Sequence, residues 1–247
     1  MRGAVSVIMP CRNAGRYVDA ALHSVWRQDV PVHEVVIADC GSEDDSAVVA
    51  RRHAAAGRPI RLVEAGPLTP AAARNAALAA ATGDTIAFLD ADDLWPPGKL
   101  SRQLGRLGNA PRVEMVSGYV RYFETAAASG LEPAADSRTE TIFHVHLGTC
   151  LYRRHVFERV GGAFDDDFLY AEDVDLLLRV REAGIPFTIL RSVELFYRRH
   201  PASLMAAGNP RKQSDFRLAA HKSIGRRRAT GTLATPLRDF AHYVEPS

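Results

Sequence analysis

Long apolar runs are missing from this sequence. The opening stretch MRGAVSVIMP meets a proline after a very short apolar segment, too brief for a secretory signal and far short of a membrane span. No later stretch stays apolar for the roughly 20 residues a spanning helix needs. Cysteine is scarce as well. Cys11, Cys40 and Cys150 are odd in number and widely spaced, which argues against a disulfide framework and for a reducing compartment. Net charge is also small: 31 Lys and Arg stand against 29 Asp and Glu, so no global field draws in nucleic acid or an anionic membrane. The basic excess is local, in Arg226, Arg227 and Arg228 and around Arg198 and Arg199. The expectation is a cytoplasmic protein with no nucleic-acid partner, peripheral contact at the inner membrane face being left open.

With 47% hydrophobic and 24% charged residues, the 247-residue chain has a globular balance and can bury one large core. Apolar runs alternate with amphipathic segments through the first half. Strands are expected at Val5 to Met9, Val35 to Ala38, Ile60 to Val63 and Thr85 to Leu89. Helices are expected at Ala14 to Gln28, Ser42 to about Ala56, and Pro70 to Ala81, with Pro70 suited to a first turn. This alternation predicts a mainly parallel sheet with helices on both faces. Polar loops then follow the strand ends at Pro10 to Asn13, Asp39 to Asp44, Glu64 to Thr69 and Asp90 to Asp93, where open α/β sheets bind ligands. Further on, a helix is expected from Lys99 to Leu107, a strand from Val113 to Phe123, and a surface loop from Ala126 to Arg138. Strand-like runs at His146 to Tyr152 and Phe187 to Arg198 flank a helix from about Asp173 to Ala183, and a basic helix follows Pro210.

The segment Phe88-Leu89-Asp90-Ala91-Asp92-Asp93 delivers three carboxylates to a strand exit. Asp90 and Asp92 face the same way in extended backbone, so their oxygens can surround a hard divalent cation; alternatively Asp92 or Asp93 caps the next turn. Glu172 and Asp173 open a leucine-bearing helix, where acids suit the positive helix end. A carboxylate there can instead take a proton from an acceptor hydroxyl, and the residues alone leave both roles open. Asp165, Asp166 and Asp167 read as a solvated turn, and His144 with His146 as a weak zinc signal.

These segments together resemble the family 2 glycosyltransferases, an inverting group. VSVIMPCRNAGRYVDAALHSVWRQD is similar to the family's first strand, nucleotide loop and helix, and VVIADCGSEDDS to its Asp-Asp-Gly-Ser segment. AARNAALAAATGDTIAFLDADD resembles the Arg-Asn helix and Asp-X-Asp strand, and GGAFDDDFLYAEDVDLLLR the acceptor-side segment; the likeness runs from Val5 to about Met205. It implies an α/β, A-type glycosyltransferase fold: a Rossmann-like, mainly parallel sheet with helices on both faces and a smaller mixed acceptor-side sheet. It also implies a single domain over residues 1–210, with a nucleotide-sugar half at 1–97 and an acceptor half at 98–210. Residues 211–247 form a helical extension and tail. By the same likeness Pro10, Asn13, Asp39, Arg74 and Asp90 surround the nucleotide, and Asp92 with His200 holds Mg²⁺ or Mn²⁺. Asp173 is the base, Glu172 shapes the acceptor site, Arg199 neutralises leaving-group charge, and Trp95 lines the pocket or anchors packing.

The implied reaction moves a sugar from a nucleoside-diphosphate sugar, UDP being the leading expectation, to a saccharide, lipid-linked, peptide or small-molecule acceptor. Cys40 stands where the family pattern has an acid, which alters base or ribose recognition. Two rivals remain at this point. A nucleotidyltransferase would usually carry a Gly-rich phosphate loop with a lysine, which Pro10-Cys11-Arg12-Asn13 lacks. A catalytically silent sugar-nucleotide-binding or scaffold protein would bind the donor without turnover.

Overall fold

Val5–Cys11 (β1), Glu34–Asp39 (β2), Ile60–Glu64 (β3) and Thr85–Phe88 (β4) pair in parallel in the order β3-β2-β1-β4. The computed structural model describes residues 3–66, 68–142, 146–201, 203 and 209–245. β1 and β2 are buried almost throughout, as expected of β-branched strands covered on both faces. Alternation along these strands divides the core. Val5, Val7, Met9, Val35, Ile37 and Ala87 face one side, where Val18–Trp26 (α1), Ser46–Ala55 (α2) and Lys99–Asn109 (α4) pack. Ile8, Val36, Ala38, Ile86 and Phe88 face the other, against Pro70–Ala80 (α3), His155–Arg159 (α5) and Glu172–Glu182 (α6). Each fully buried Val or Ile in these layers contributes roughly 1.5–3 kcal/mol.

Met115–Phe123 (β5), Glu140–Ile142 (β6), Leu151–Arg153 (β7) and Phe187–Arg198 (β8) complete an eight-stranded sheet. The mixed set expected on the acceptor side is therefore present and continuous with the parallel half. β7 lies antiparallel between β4 and β5, while β8 runs parallel to β5 along its whole length. Arg211–Ala229 (α7) packs on α6, where Arg226 pairs with Glu182 at 2.7 Å and with Asp175 at 3.0 Å. The chain then returns to the sheet: Tyr243 stacks on Phe187 at 3.7 Å between centroids, and Val244 bridges to Ile189.

Two expected helix starts move inward. α1 begins at Val18 rather than Ala14, and α2 at Ser46 rather than Ser42. The freed residues stitch two loops together: Ser42 Oγ accepts from the Asn13 amide at 3.0 Å, Ser46 Oγ from Ala14 at 2.8 Å, and Asp44 Oδ2 from Gly15 at 2.8 Å. Such side-chain bonds to nearby backbone compete with the first helical turn, although Asp44 also serves its own helix, its Oδ1 accepting from the Ser46 amide at 3.0 Å. β6, α5 and the short 3-10 turns at Leu147–Thr149 and Phe240–Tyr243 carry too few residues for a periodic signal. Trp95 proves a packing anchor: it is buried against Lys99, and its amide donates to Ser24 Oγ at 3.0 Å.

Candidate active site

The carboxyl ends of β1, β2 and β4 open into a cleft of about 2,040 Å³, closed on the far side by α6 and the end of β8. All the expected site residues line it except Asp39, which is buried at the end of β2. Asp39 Oδ2 accepts from the Ser42 amide at 3.3 Å, while its buried Oδ1 has no partner among the described residues. Pro10 lies within β1, whose pairing extends to Cys11. Asn13 adopts a left-handed conformation, φ 49°, and its Oδ1 accepts from the Glu43 amide at 2.8 Å. Ala171, just before Glu172, is the other non-glycine residue with positive φ among the described residues, at 62°. Asparagine tolerates this region; alanine there stores strain of about 1 kcal/mol or more, and both residues line the cleft.

α3 supplies the connection between the two walls. Thr69 caps the helix, its Oγ1 accepting from the Ala72 amide, and Pro70 occupies the first turn as expected. Small residues Ala71, Ala73 and Ala77 let α3 lie close to β1 and β2, bringing Arg74 over the strand ends. The buried Arg74 guanidinium donates to Asp90 Oδ1 at 2.7 Å and to Glu172 Oε1 at 2.5 Å. Burial opposes its charge, but Asp90 and Glu172 outweigh that and hold it firmly protonated. Burial likewise raises Asp90, yet Arg74 and then His146 bring it below the ordinary carboxylate range. The neighbouring Asn75 donates to the Phe164 carbonyl at 2.7 Å and accepts from the Phe164 amide at 2.8 Å. The Arg74-Asn75 pair thus clamps the segment leading to α6.

Asp173 is half-buried at the start of α6, its Oδ1 accepting from the Val174 amide at 2.8 Å. Burial, then the charge of Glu172, pushes it up to about 7. Across the cleft, Asp92 Oδ2 lies 2.9 Å from His200 Nε2, and His200 rests on the Tyr17 ring. His200 Nδ1 is buried without a partner among the described residues. Adjacent ligands of a divalent cation with bonds of 2.0–2.1 Å sit about 3 Å apart, so this carboxylate–imidazole pair already has that spacing. Burial, then Asp92 and Asp90, drives the Asp93 carboxyl well above its usual range. Such crowding of acids is what a cation would relieve, and the donor set fits Mg²⁺ or Mn²⁺.

Two adjacent arginines part company here. Arg198, which the sequence did not single out for the site, is buried: its amide donates to Asp93 Oδ1 at 2.8 Å and its Nε to the Asp92 carbonyl at 2.9 Å. Arg199 is exposed at the rim, over the Tyr122 ring and 3.3 Å from Glu140. Strand alternation at the end of β8 carried the only signal for this difference. His146 stands out in the sequence only as half of a weak zinc signal with His144, not as a partner of the strand-end acids. It joins Asp90 and Asp93, with potential ligand atoms within 4.8 Å of one another, whereas His144 lies outside the described residues. Asp165, Asp166 and Asp167 form the expected solvated turn, with Asp166 and Asp167 exposed, and Asp165 and Asp167 also pair with Lys222 of α7. Cys11 and Cys40 line the cleft as free thiols; burial first raises both, Cys11 to about 12, so neither is a thiolate nucleophile at neutral pH.

Residues 6–161 match the family model described as Glycosyl transferase family 2. The chain belongs to glycosyl transferase family 2. An uncharacterized glycosyltransferase of Nostoc sp. is 32% identical over 170 residues, which are 63% of this chain and 52% of that protein. This family 2 chain therefore spans about half the length of that relative. Among solved structures, S. aureus TarS 1-349 in complex with UDP-GlcNAc superposes with a TM-score of 0.70 at 18% identity, covering 97% of this chain and 69% of that one. A mannosyltransferase from Pyrobaculum calidifontis, in complex with GDP-Man and Mn²⁺, gives 0.62 at 22% identity, with 96% and 66% covered. These likenesses show that the family 2 chain has the A-type glycosyltransferase fold.

Proposed function

We propose that this chain transfers a sugar, with inversion at the anomeric carbon, from a nucleoside-diphosphate sugar to an acceptor hydroxyl. The supporting observation is the bridge from Asp90 through Arg74 to Glu172, which brings the strand-end acids and Asp173 to opposite walls of one cleft. Ligand sites commonly occupy about 300–1,000 Å³, so this cleft has room for donor and acceptor together. The donor half is residues 1–97 and the acceptor half 98–210. UDP is the favoured nucleotide, in keeping with a protein of the same fold that holds UDP-GlcNAc.

Asp173 accepts the proton of the acceptor hydroxyl as its oxygen attacks the anomeric carbon. A base near neutrality takes that proton effectively, and Asp173 at about 7 meets this condition. Glu172 stays on Arg74 and fixes the orientation of the base next to it. Asp92 and His200 would hold Mg²⁺ or Mn²⁺. When bound, the cation supplies charge neutralisation to the diphosphate leaving group. Arg199 adds positive charge at the same wall once it leaves Glu140.

The test is a panel of sugar nucleotides with Mn²⁺ or Mg²⁺, followed for binding, hydrolysis and transfer. Purified Asp92→Asn and Asp173→Asn proteins with intact folding should each lose on the order of 10²-fold or more in transfer rate. Near-normal transfer by both would overturn the assignments. Donor binding without turnover across a broad acceptor panel would favour a silent nucleotide-sugar binder instead.

A further inference from the structure

We propose that the outer face of α7 docks the protein on an anionic lipid bilayer. The helix is built inside out for a core helix. Its buried positions are Asp215, Ala219 and Ser223, whereas Phe216 is 42% exposed and Ile224 40% exposed. Leu233, just beyond the helix, is also 40% exposed. Val48 is the one other exposed large apolar side chain among the described residues, so three of four cluster at this end of the chain. At 3.6 residues per turn, Phe216, Arg217, His221, Ile224 and Arg228 fall within about 140° of arc.

Charge on that arc has one sign. Arg217 and Arg228 are exposed, and no described residue forms an ion pair with either. The helix's single acid, Asp215, is turned inward, where its Oδ2 accepts from the Leu169 and Tyr170 amides at 2.9 Å. The Arg226-Arg227-Arg228 run therefore does not act as one basic face. Arg226 is held by Glu182 and Asp175, and Arg227 donates to the Leu233 carbonyl at 3.0 Å, leaving Arg228 to the outer surface. Exposed apolar side chains beside two arginines unpaired among the described residues suit contact with anionic headgroups at the membrane surface. A second copy of this chain fits poorly, because like charges would meet across a two-fold contact. Lys212 and Phe216 also line the cleft, so a bilayer held by α7 lies beside the cleft mouth. The docking itself does not rest on the proposed transfer chemistry.

Flotation of the full chain with vesicles tests this. The chain should rise with phosphatidylglycerol–phosphatidylethanolamine vesicles and stay behind with phosphatidylcholine alone, and salt at about 0.5 M should release it. The double variant Arg217→Gln/Arg228→Gln should lower the partition coefficient on the order of tenfold or more. Ile224→Ser should also weaken binding, while Arg217→Lys/Arg228→Lys should preserve it. Equal affinity for neutral vesicles, no vesicle binding, or unchanged binding of the glutamine variant would overturn the proposal. So would a lysine variant as weak as the glutamine one. A concentration-dependent dimer dissolved by Ile224→Ser would overturn it by showing that a second copy covers this face.

Discussion

Asp173 carries two opposing consequences of one environment. Its folded-state value of about 7 stands above the ordinary value near 4, so between these limits the native state binds more protons than the unfolded chain. Protonated Asp173 therefore contributes stability that is fully present below about pH 4 and is lost as pH rises towards 7. Asp173→Asn escapes that loss. Its melting midpoint should match wild type near pH 4 and exceed it increasingly up to pH 7, with the gap constant above. Transfer activity should move oppositely in the wild type, rising with pH through about 7 as the base ionises. Paired melting curves and pH–rate profiles check both halves, and a flat difference in midpoint would remove the environment argued for Asp173. Arg74 shows why such a buried acid cluster is tolerated nearby: one guanidinium satisfies two carboxylates from different elements.

At the scale of elements, the pairing of β5 with β8 holds the late residues Arg198 and His200 against the acidic strand end. The two strands slip register between Ser117 and Tyr119, around Gly118. A Cβ at Gly118 would come within 2.3 Å of Glu194 Cγ and 2.8 Å of the Ser192 carbonyl. Glu194 cannot easily yield, because it is fully buried and its carboxylate accepts from Arg102 Nε at 2.8 Å and Ser192 Oγ at 2.6 Å. Gly118→Ala should therefore destabilise the fold by about 1–3 kcal/mol. Thermal denaturation would register this as a lowered midpoint of several degrees, roughly 2–4 °C per kcal/mol at this chain length. An unchanged midpoint would show that the strands separate there without loss.

Over the whole molecule, the site is assembled from segments near residues 13, 74, 92, 173 and 200, so ligand binding and global folding are linked. At about 100 times its dissociation constant, a ligand specific for the native state adds roughly 2.7 kcal/mol. UDP with Mn²⁺ should raise the melting midpoint by about 5–10 °C under those conditions. In Asp92→Asn the added effect of Mn²⁺ over UDP alone should largely vanish. A metal-dependent rise that survives this substitution would move the cation away from Asp92.

The sequence by itself determined the sheet-and-helix order, because buried parallel strands demand uninterrupted apolar runs and helices demand their own period. It also determined that acids follow the β4 strand end and that Pro70 starts a helix, but not their geometry. β4 stops at Phe88 and the Asp93 amide donates to the Asp90 carbonyl at 3.1 Å, so Asp90 and Asp92 sit in a turn rather than side by side in extended backbone. Short elements such as β6 and α5 escaped, since three to five residues cannot display a period. Only the tertiary structure decided which charges meet. Arg74 reaches Glu172 across 98 positions of sequence, and His200 reaches Asp92 across 108. Neither separation leaves a local pattern to read. Tertiary packing likewise chose Arg198 over Arg199 for the interior, and turned Arg226 inward while leaving Arg228 to solvent. Side-chain chemistry fixed what each residue can do; the environment that folding builds around it fixed its charge, its partner and its role.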